Sequence, residues 1–181
     1  MKQYQLAKHQ KQRNLVSIRR GEIDGNSIQG FILDSSKELI ALQYVYDFNL
    51  DGLMFLRVED ITEVKNSATN KFQKRLLQKE GLLEKVSFGA TFALSDWKSL
   101  IAQISQKREL MIIERETLTQ PDFFIGVILK ATKSGVRGRF FSGTAKWAER
   151  HEKLKFKDIT SCQIRTNYIN VYQRHFQKDM L

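Results

Sequence analysis

The 181-residue chain has one proline and one cysteine. A single proline excludes a long Pro-rich spacer. A single cysteine, Cys162, excludes any internal disulfide and fits a reducing compartment. No apolar run approaches the roughly 18 residues that a membrane-spanning helix needs. The first stretch, MKQYQLAKHQKQRN, is basic and polar and lacks the apolar core of a secretory signal. These shortages set the expectation of a cytoplasmic protein that does not enter a membrane.

Chemistry-bearing residues are also sparse. The three histidines, His9, His151 and His175, and Cys162 have no metal-ligand spacing. Ser142, Asp158 and His175 could be put together as a triad on paper, but no nucleophile-elbow motif surrounds Ser142. SGVRGRFFSG contains glycines but forms neither phosphate-cradling pattern. The sequence therefore predicts no enzyme: no catalytic residue, no metal and no cofactor.

What the chain does have is uneven charge. The net charge is +10. Residues 1–20 carry six basic side chains and no acidic one, whereas residues 21–66 carry three basic against nine acidic. Residues 130–181 carry twelve basic against four acidic. One reading is a solvated surface, and the other is a basic face for an anionic partner.

It also repeats itself. Asp60-Ile61-Thr62 in VEDITEV returns as Asp158-Ile159-Thr160 in FKDITSC. Upstream, Gly30-Phe31-Ile32-Leu33 is answered by Gly126-Val127-Ile128-Leu129. A period near 97 residues is too long for a solenoid unit and reads as a duplicated small domain. Each copy contains β-branched and aromatic runs bounded by turn residues: 15–20, 27–34, 38–46 and 53–65, then 109–116, 122–131, 136–142 and 153–164. Asp24-Gly25-Asn26 and Asp51-Gly52 are hairpin signals. Gly30 and Gly126, inside strands, are expected to mark bulges or bends. For Asp-Ile-Thr, the Asp and Thr are expected to bond nearby backbone at a bend, with the Ile in the core. A twofold-related binding site is the other reading.

Helical periodicity appears over residues 69–79, with a Lys71/Arg75/Lys79 stripe and a stop at Gly81. It reappears with Trp97, Leu100, Ile101 and Ile104, where Ser95 is the expected N-cap. Residues 3–12 offer a thinner helical pattern. Tyr168, Tyr172 and Phe176, spaced by four, suit a closing helix, with a strand as the alternative. The expected division is 1–80 for a first β repeat with closing helix and 81–181 for a second with leading helix, joined through the helical region near 67–107.

A helix followed by about five bent strands resembles the Sm-like small-barrel architecture, here in tandem. The expected fold is thus mainly β with α, α+β: two strongly bent five-stranded Sm-like barrels with flanking helices. The family's RNA pocket does not carry over. Asp34 is followed by Ser35, Ser36, Lys37 and Glu38 rather than the Asp-x-apolar-x-Asn pattern, and the late Arg-Gly position reads Asp-Ile-Thr in both copies. VYDFNLDGLMFLRVEDITEV with KFQKRLLQKEGL is similar to small bacterial proteins of the immunity and orphan type, encoded near secreted toxins. That resemblance covers roughly the first 80 residues and implies no catalytic residues.

The strongest candidate patch is VRGRFFSGTAKWAERHEKLKFK, residues 136–157. Arg137, Arg139, Lys146, Arg150 and Lys153 attract anions, and Trp147 is interleaved with them. Alternation predicts one of Phe140 and Phe141 in the core. Two partner classes follow. The favoured one is a protein with an acidic surface, as for an immunity-type module that neutralises a toxin by direct binding. The alternative is RNA or another nucleic acid bound by the basic second copy.

Overall fold

A computed structural model describes residues 2–117 and 119–178. It is mainly β with helices and splits into two compact units, Met1–Ser95 and Asp96–Leu181. The first unit runs α1 (Lys2–Lys11), β1 (Leu15–Arg20), β2 (Asp24–Ser35), β3 (Leu39–Tyr46), β4 (Asn49–Arg57), β5 (Glu63–Lys65) and α2 (Ala68–Lys79). The second runs α3 (Trp97–Ser105), β6 (Met111–Arg115), β7 (Asp122–Ala131), β8 (Gly135–Phe140), β9 (Glu152–Lys155), β10 (Ser161–Ile164) and α4 (Asn167–Lys178). Within the first unit the antiparallel strand order is β5-β1-β2-β3-β4, and within the second it is β10-β6-β7-β8-β9. The two orders are the same permutation of their own strands.

The repeat extends to single hydrogen bonds. Gly30 pairs with Val16 and Tyr44, and Gly126 with Met111 and Phe140. Both glycines are needed because the next strand comes close. A Cβ on Gly30 would lie 2.6 Å from the Gln43 carbonyl oxygen, and one on Gly126 would lie 2.1 Å from that of Arg139. The bulges fall three residues later, between Ile32 and Asp34 and between Ile128 and Lys130.

Asp-Ile-Thr is a matched backbone lock. The Thr62 N–H and hydroxyl both donate to the Arg19 carbonyl, at 2.8 and 3.1 Å, and the hydroxyl oxygen accepts from the Gly21 N–H at 3.1 Å. The Thr160 N–H donates to the Glu114 carbonyl at 2.9 Å. Its hydroxyl reaches the same carbonyl at 3.1 Å and Glu116 Oε2 at 2.6 Å, and accepts from the Glu116 N–H at 3.2 Å. Ile61 and Ile159 are buried, as expected of the central residue. The aspartates differ: Asp60 forms a two-point ion pair with Arg57, and that arginine is replaced by Lys155 before Asp158. This turn divides each expected late strand, 53–65 and 153–164, into two short ones.

The helices obey the same register. α1 and α3 are each followed by a turn that closes on a left-handed arginine, Arg13 at φ 50 and Arg108 at φ 52. Ser67 caps α2 by accepting from the Asn70 N–H, and Thr166 does the same for Ile169. For α3 the cap is Asp96, whose Oδ1 accepts from the Ser99 N–H at 2.6 Å, rather than Ser95. The carboxylate is the better choice because it also meets the positive helix end. Gly81, at φ +68, follows the last turn of α2 as expected.

Residues 81–95 fall in the first unit, not the second. Val86, Phe88 and Phe92 join Leu15, Phe31, Leu33, Val45 and Leu77 in one apolar cluster, and this burial ties the segment to β1–β4. A second first-unit cluster lies around Leu6, Ile18, Ile32, Leu42, Leu56 and Ile61.

Candidate functional site on the second unit

The two units treat one sheet face in opposite ways. In the first, Phe31, Asp34, Ala41, Gln43 and Phe55 share a face, as the pairs Phe31↔Gln43, Asp34↔Ala41 and Ala41↔Phe55 require. Residues 86–94 lie on it. Phe88 meets Phe31 edge-on at 5.6 Å, and Phe92 meets Phe55 at 5.1 Å. The Phe92 N–H donates to Asp34 Oδ2 at 2.9 Å, and the Leu94 carbonyl accepts from Ser36 Oγ at 2.7 Å.

In the second unit the same positions are Val127, Lys130, Arg137, Arg139 and Lys153. The register is carried by Val127↔Arg139, Lys130↔Arg137 and Arg137↔Lys153. Lys130, Arg137 and Lys153 therefore form one cross-strand row, and all three are exposed. Arg139 stands two residues along β8 on the same face and is also exposed. Leu129, the bulge residue, is 51% exposed, whereas its counterpart Leu33 is 2% exposed. Among the described residues no ion pair involves Lys130, Arg137 or Lys153. Like charges directly opposite across strands repel, so an anion seated on the row would relieve that cost.

Of the six residues singled out in the sequence, the fold brings Arg137, Arg139 and Lys153 onto this face. Lys146 and Arg150 are exposed on the loop between β8 and β9. Trp147 is half-buried and packs at 5.0 Å against both Phe141 and Phe176. The Arg139 guanidinium lies 5.4 Å over its ring, and Arg139 Nε donates to the Ala148 carbonyl at 3.3 Å. Trp147 thus holds Arg139 in place, a cation–π contact that limits where the charge can point.

The sequence reading missed Lys130 and Leu129. Counting 96 residues on from Asp34 and Leu33, the offset set by Gly30 and Gly126, would have found them. The expectation for the Phe140-Phe141 pair is also corrected: both are buried. Phe140 packs on Phe124 at 5.0 Å, and Phe141 on Trp147, Tyr172 and Phe176. α4 covers the second side of the strand, so the neighbour that alternation turns outward meets a helix rather than water.

A second polar cluster lies behind β10. The Glu114 carboxylate accepts from Ser161 Oγ and, at 3.1 Å, from Gln163 Nε2. Cys162 between them is fully buried. Burial pushes its thiol well above the usual range, and the nearby Glu114 charge adds to the effect. Such a thiol is not a nucleophile. Beside it, the Arg115 guanidinium is held charged by its hydrogen-bonded pair with Asp122 and lies 5.2 Å over the Phe124 ring. These contacts fasten β6 to β7 and β10.

Among the described residues, no group of three His, Cys, Asp or Glu side chains is placed to hold a metal ion. No helix among them is long and apolar enough to cross a membrane. Compared with protein-family models, with curated proteins and with solved structures, the chain matches none.

Proposed function

We propose that the chain is a non-catalytic protein-binding module, built from two Sm-like repeats, whose second repeat offers a basic sheet face to a protein with an acidic surface. The Lys130–Arg137–Lys153 row carries this reading. It sets three exposed cations side by side on rigid strands, which favours recognition over diffuse attraction. Arg139 extends the row, and Lys146 and Arg150 add charge from the adjoining loop. The helix, the 5-1-2-3-4 order, the close-approach glycine and the bulge of each unit support the Sm-like assignment.

An immunity-type protein, which neutralises a toxin by occupying it, fits such a binding face. Nucleic-acid binding through stacked bases is the weaker reading here. Phe140 and Phe141 are buried, and Trp147 is engaged by Phe141, Phe176 and Arg139. Base stacking requires an open ring face.

The test is complex formation with the protein encoded by the neighbouring gene, measured by calorimetry and gel filtration. An equimolar complex is expected, and it should be lost in the combined Lys130→Glu, Arg137→Glu, Lys153→Glu variant. A complex that survives charge reversal, or no complex at all, sinks the reading.

A further inference from the structure

We infer that the ligand of this basic face is a short, extended acidic segment of the partner protein, seated where residues 92–94 sit on the first unit. This inference rests on the protein-binding reading above and specifies what part of the partner is bound.

The first unit shows what this face can hold. Its occupant is not a helix or a strand added at an edge but an irregular stretch of peptide laid across β2, β3 and β4. Its contacts include the Phe92 ring on Phe55, the Phe92 N–H to Asp34 and the Leu94 carbonyl, which accepts from Ser36. The same backbone in the second unit presents a like surface with its chemistry inverted. Asp34, which accepts the peptide N–H, becomes Lys130, which can only donate. Ala41 becomes Arg137, and the ring platform Phe55 becomes Lys153. A segment laid here must bring acceptors where residues 92–94 bring an N–H and a ring. Carboxylates of Asp and Glu meet that need, and a guanidinium binds them at two points.

The length of the segment follows from what is already covered. On the second unit, Ile169, Tyr172 and Phe176 of α4, with Trp147, pack on Leu110, Ile112, Ile125 and Phe141. That half of the face is closed by the chain itself. What remains open runs from Leu129 and Lys130 across Arg137 to Lys153. Adjacent strands are spaced by about 4.8 Å, so the strip is about 10 Å wide and suits two or three residues. Exposed Leu129 at its end adds one apolar contact, so a carboxylate pair next to an apolar residue is the preferred motif.

The probe is a nonapeptide copied from residues 86–94, VSFGATFAL, carrying the changes Phe92→Glu and Ala93→Asp. It is titrated into the full-length protein and followed by amide chemical shifts, beside the unmodified peptide and a uridine oligonucleotide. The expected result is saturable equimolar binding of the acidic peptide, with shifts at Leu129, Lys130, Arg137 and Lys153. Affinity should fall by about tenfold or more in Arg137→Glu combined with Lys153→Glu, and it should fall with added salt. These residues are exposed, so the variants should keep their thermal midpoint. Arg137→Gln with Lys153→Gln gives a milder form should the double reversal unfold.

Equal binding of the two peptides, binding of neither, or shifts at other residues overturns the inference. If the acidic peptide fails while the gene-neighbour complex still depends on the cation row, the segment is wrong and the protein-binding reading stands. If only the oligonucleotide shifts the face, both fall.

Discussion

In the first unit α2 meets the sheet through polar pairs, Asn70 Nδ2 donating to Ser17 Oγ at 2.9 Å and Gln29 bonding Gln73, and through one buried apolar residue, Leu77. Most of the apolar cover comes afterwards, from residues 82–92. In the second unit the order is reversed. α4 brings Ile169, Tyr172 and Phe176 onto Ile112 and Ile125, and the strip beyond carries Lys130, Arg137 and Lys153. One backbone thus carries two polarity patterns on one face. A helix with its own apolar stripe holds without further cover and leaves the rest of the face open. A helix that adds a single apolar side chain to its amide contacts leaves apolar strand residues for another segment to bury. The comparison separates what the repeat needs in order to fold from what each copy is free to vary.

The strongest way to break that comparison is to exchange the residues that embody it. Phe55 is fully buried, so Phe55→Lys loses the ring and places an ammonium beneath Phe92. We expect a loss of about 3–5 kcal/mol in the first unit. The reciprocal Lys153→Phe, at an exposed site, should change stability by only about 0.5 kcal/mol. Native-state hydrogen exchange at the Phe31 and Val127 amides separates the two units, and similar losses in both would deny the difference in cover.

The close-approach glycines come next. Gly126→Ala should cost about 3 kcal/mol, since the obstacle is backbone, and Gly30→Ala somewhat less. Gly25→Ala, with open space around the added methyl group, is the control. Denaturant midpoints that do not rank in this order would weaken the register match.

The threonine locks sharpen the comparison further. Thr160 is buried and Thr62 exposed. Thr160→Val should cost about 1–3 kcal/mol and Thr62→Val about 0.5–1 kcal/mol, each read in its own unit by exchange.

The smallest effect is a pH slope. Burial, with the neighbouring Lys8 charge, lowers the His9 pKa, and Asn14 donates to its Nδ1 at 3.1 Å. A depressed histidine adds stability above its unfolded value of about 6.5, lost as pH falls through the folded value. The matching position in the second unit is Ile104, so acid loss from this source should appear in the first unit alone. His9→Gln should flatten the slope there.

Much of this fold was legible from a few letters. Gly30 and Gly126, with the two Asp-Ile-Thr triplets, mark backbone constraints that tolerate few alternatives, so they outlast divergence of the side chains around them. Helix starts and stops were readable for the same reason, although the α3 cap slipped by one residue to the stronger acceptor. The site was half legible. Arg137, Arg139 and Lys153 stood out by charge, but nothing local says that they share a face with Lys130 and not with Lys146. That requires the bulge at Leu129 and the antiparallel register. The burial of both Phe140 and Phe141 was hidden because alternation assumes one wet face, whereas α4 dries the second. The place of residues 81–95 was hidden because the segment has no periodic pattern, and only its three-dimensional partners, Phe31 and Phe55, explain its phenylalanines.

The stretch over the first unit's strands has one more consequence. It follows α2 by a handful of residues and cannot drift away, so its effective concentration at its own site is on the order of millimolar or above. A tether of that kind makes weak contacts sufficient, such as the ring contacts of Phe88 and Phe92 and the hydrogen bonds to Asp34 and Ser36. An untethered ligand on the sister face has no such help. It must overcome dilution with interactions that reach farther through water, and Coulomb attraction is the force that does so. The charge that distinguishes the second unit would serve the proposed binding if the occupant came from another molecule.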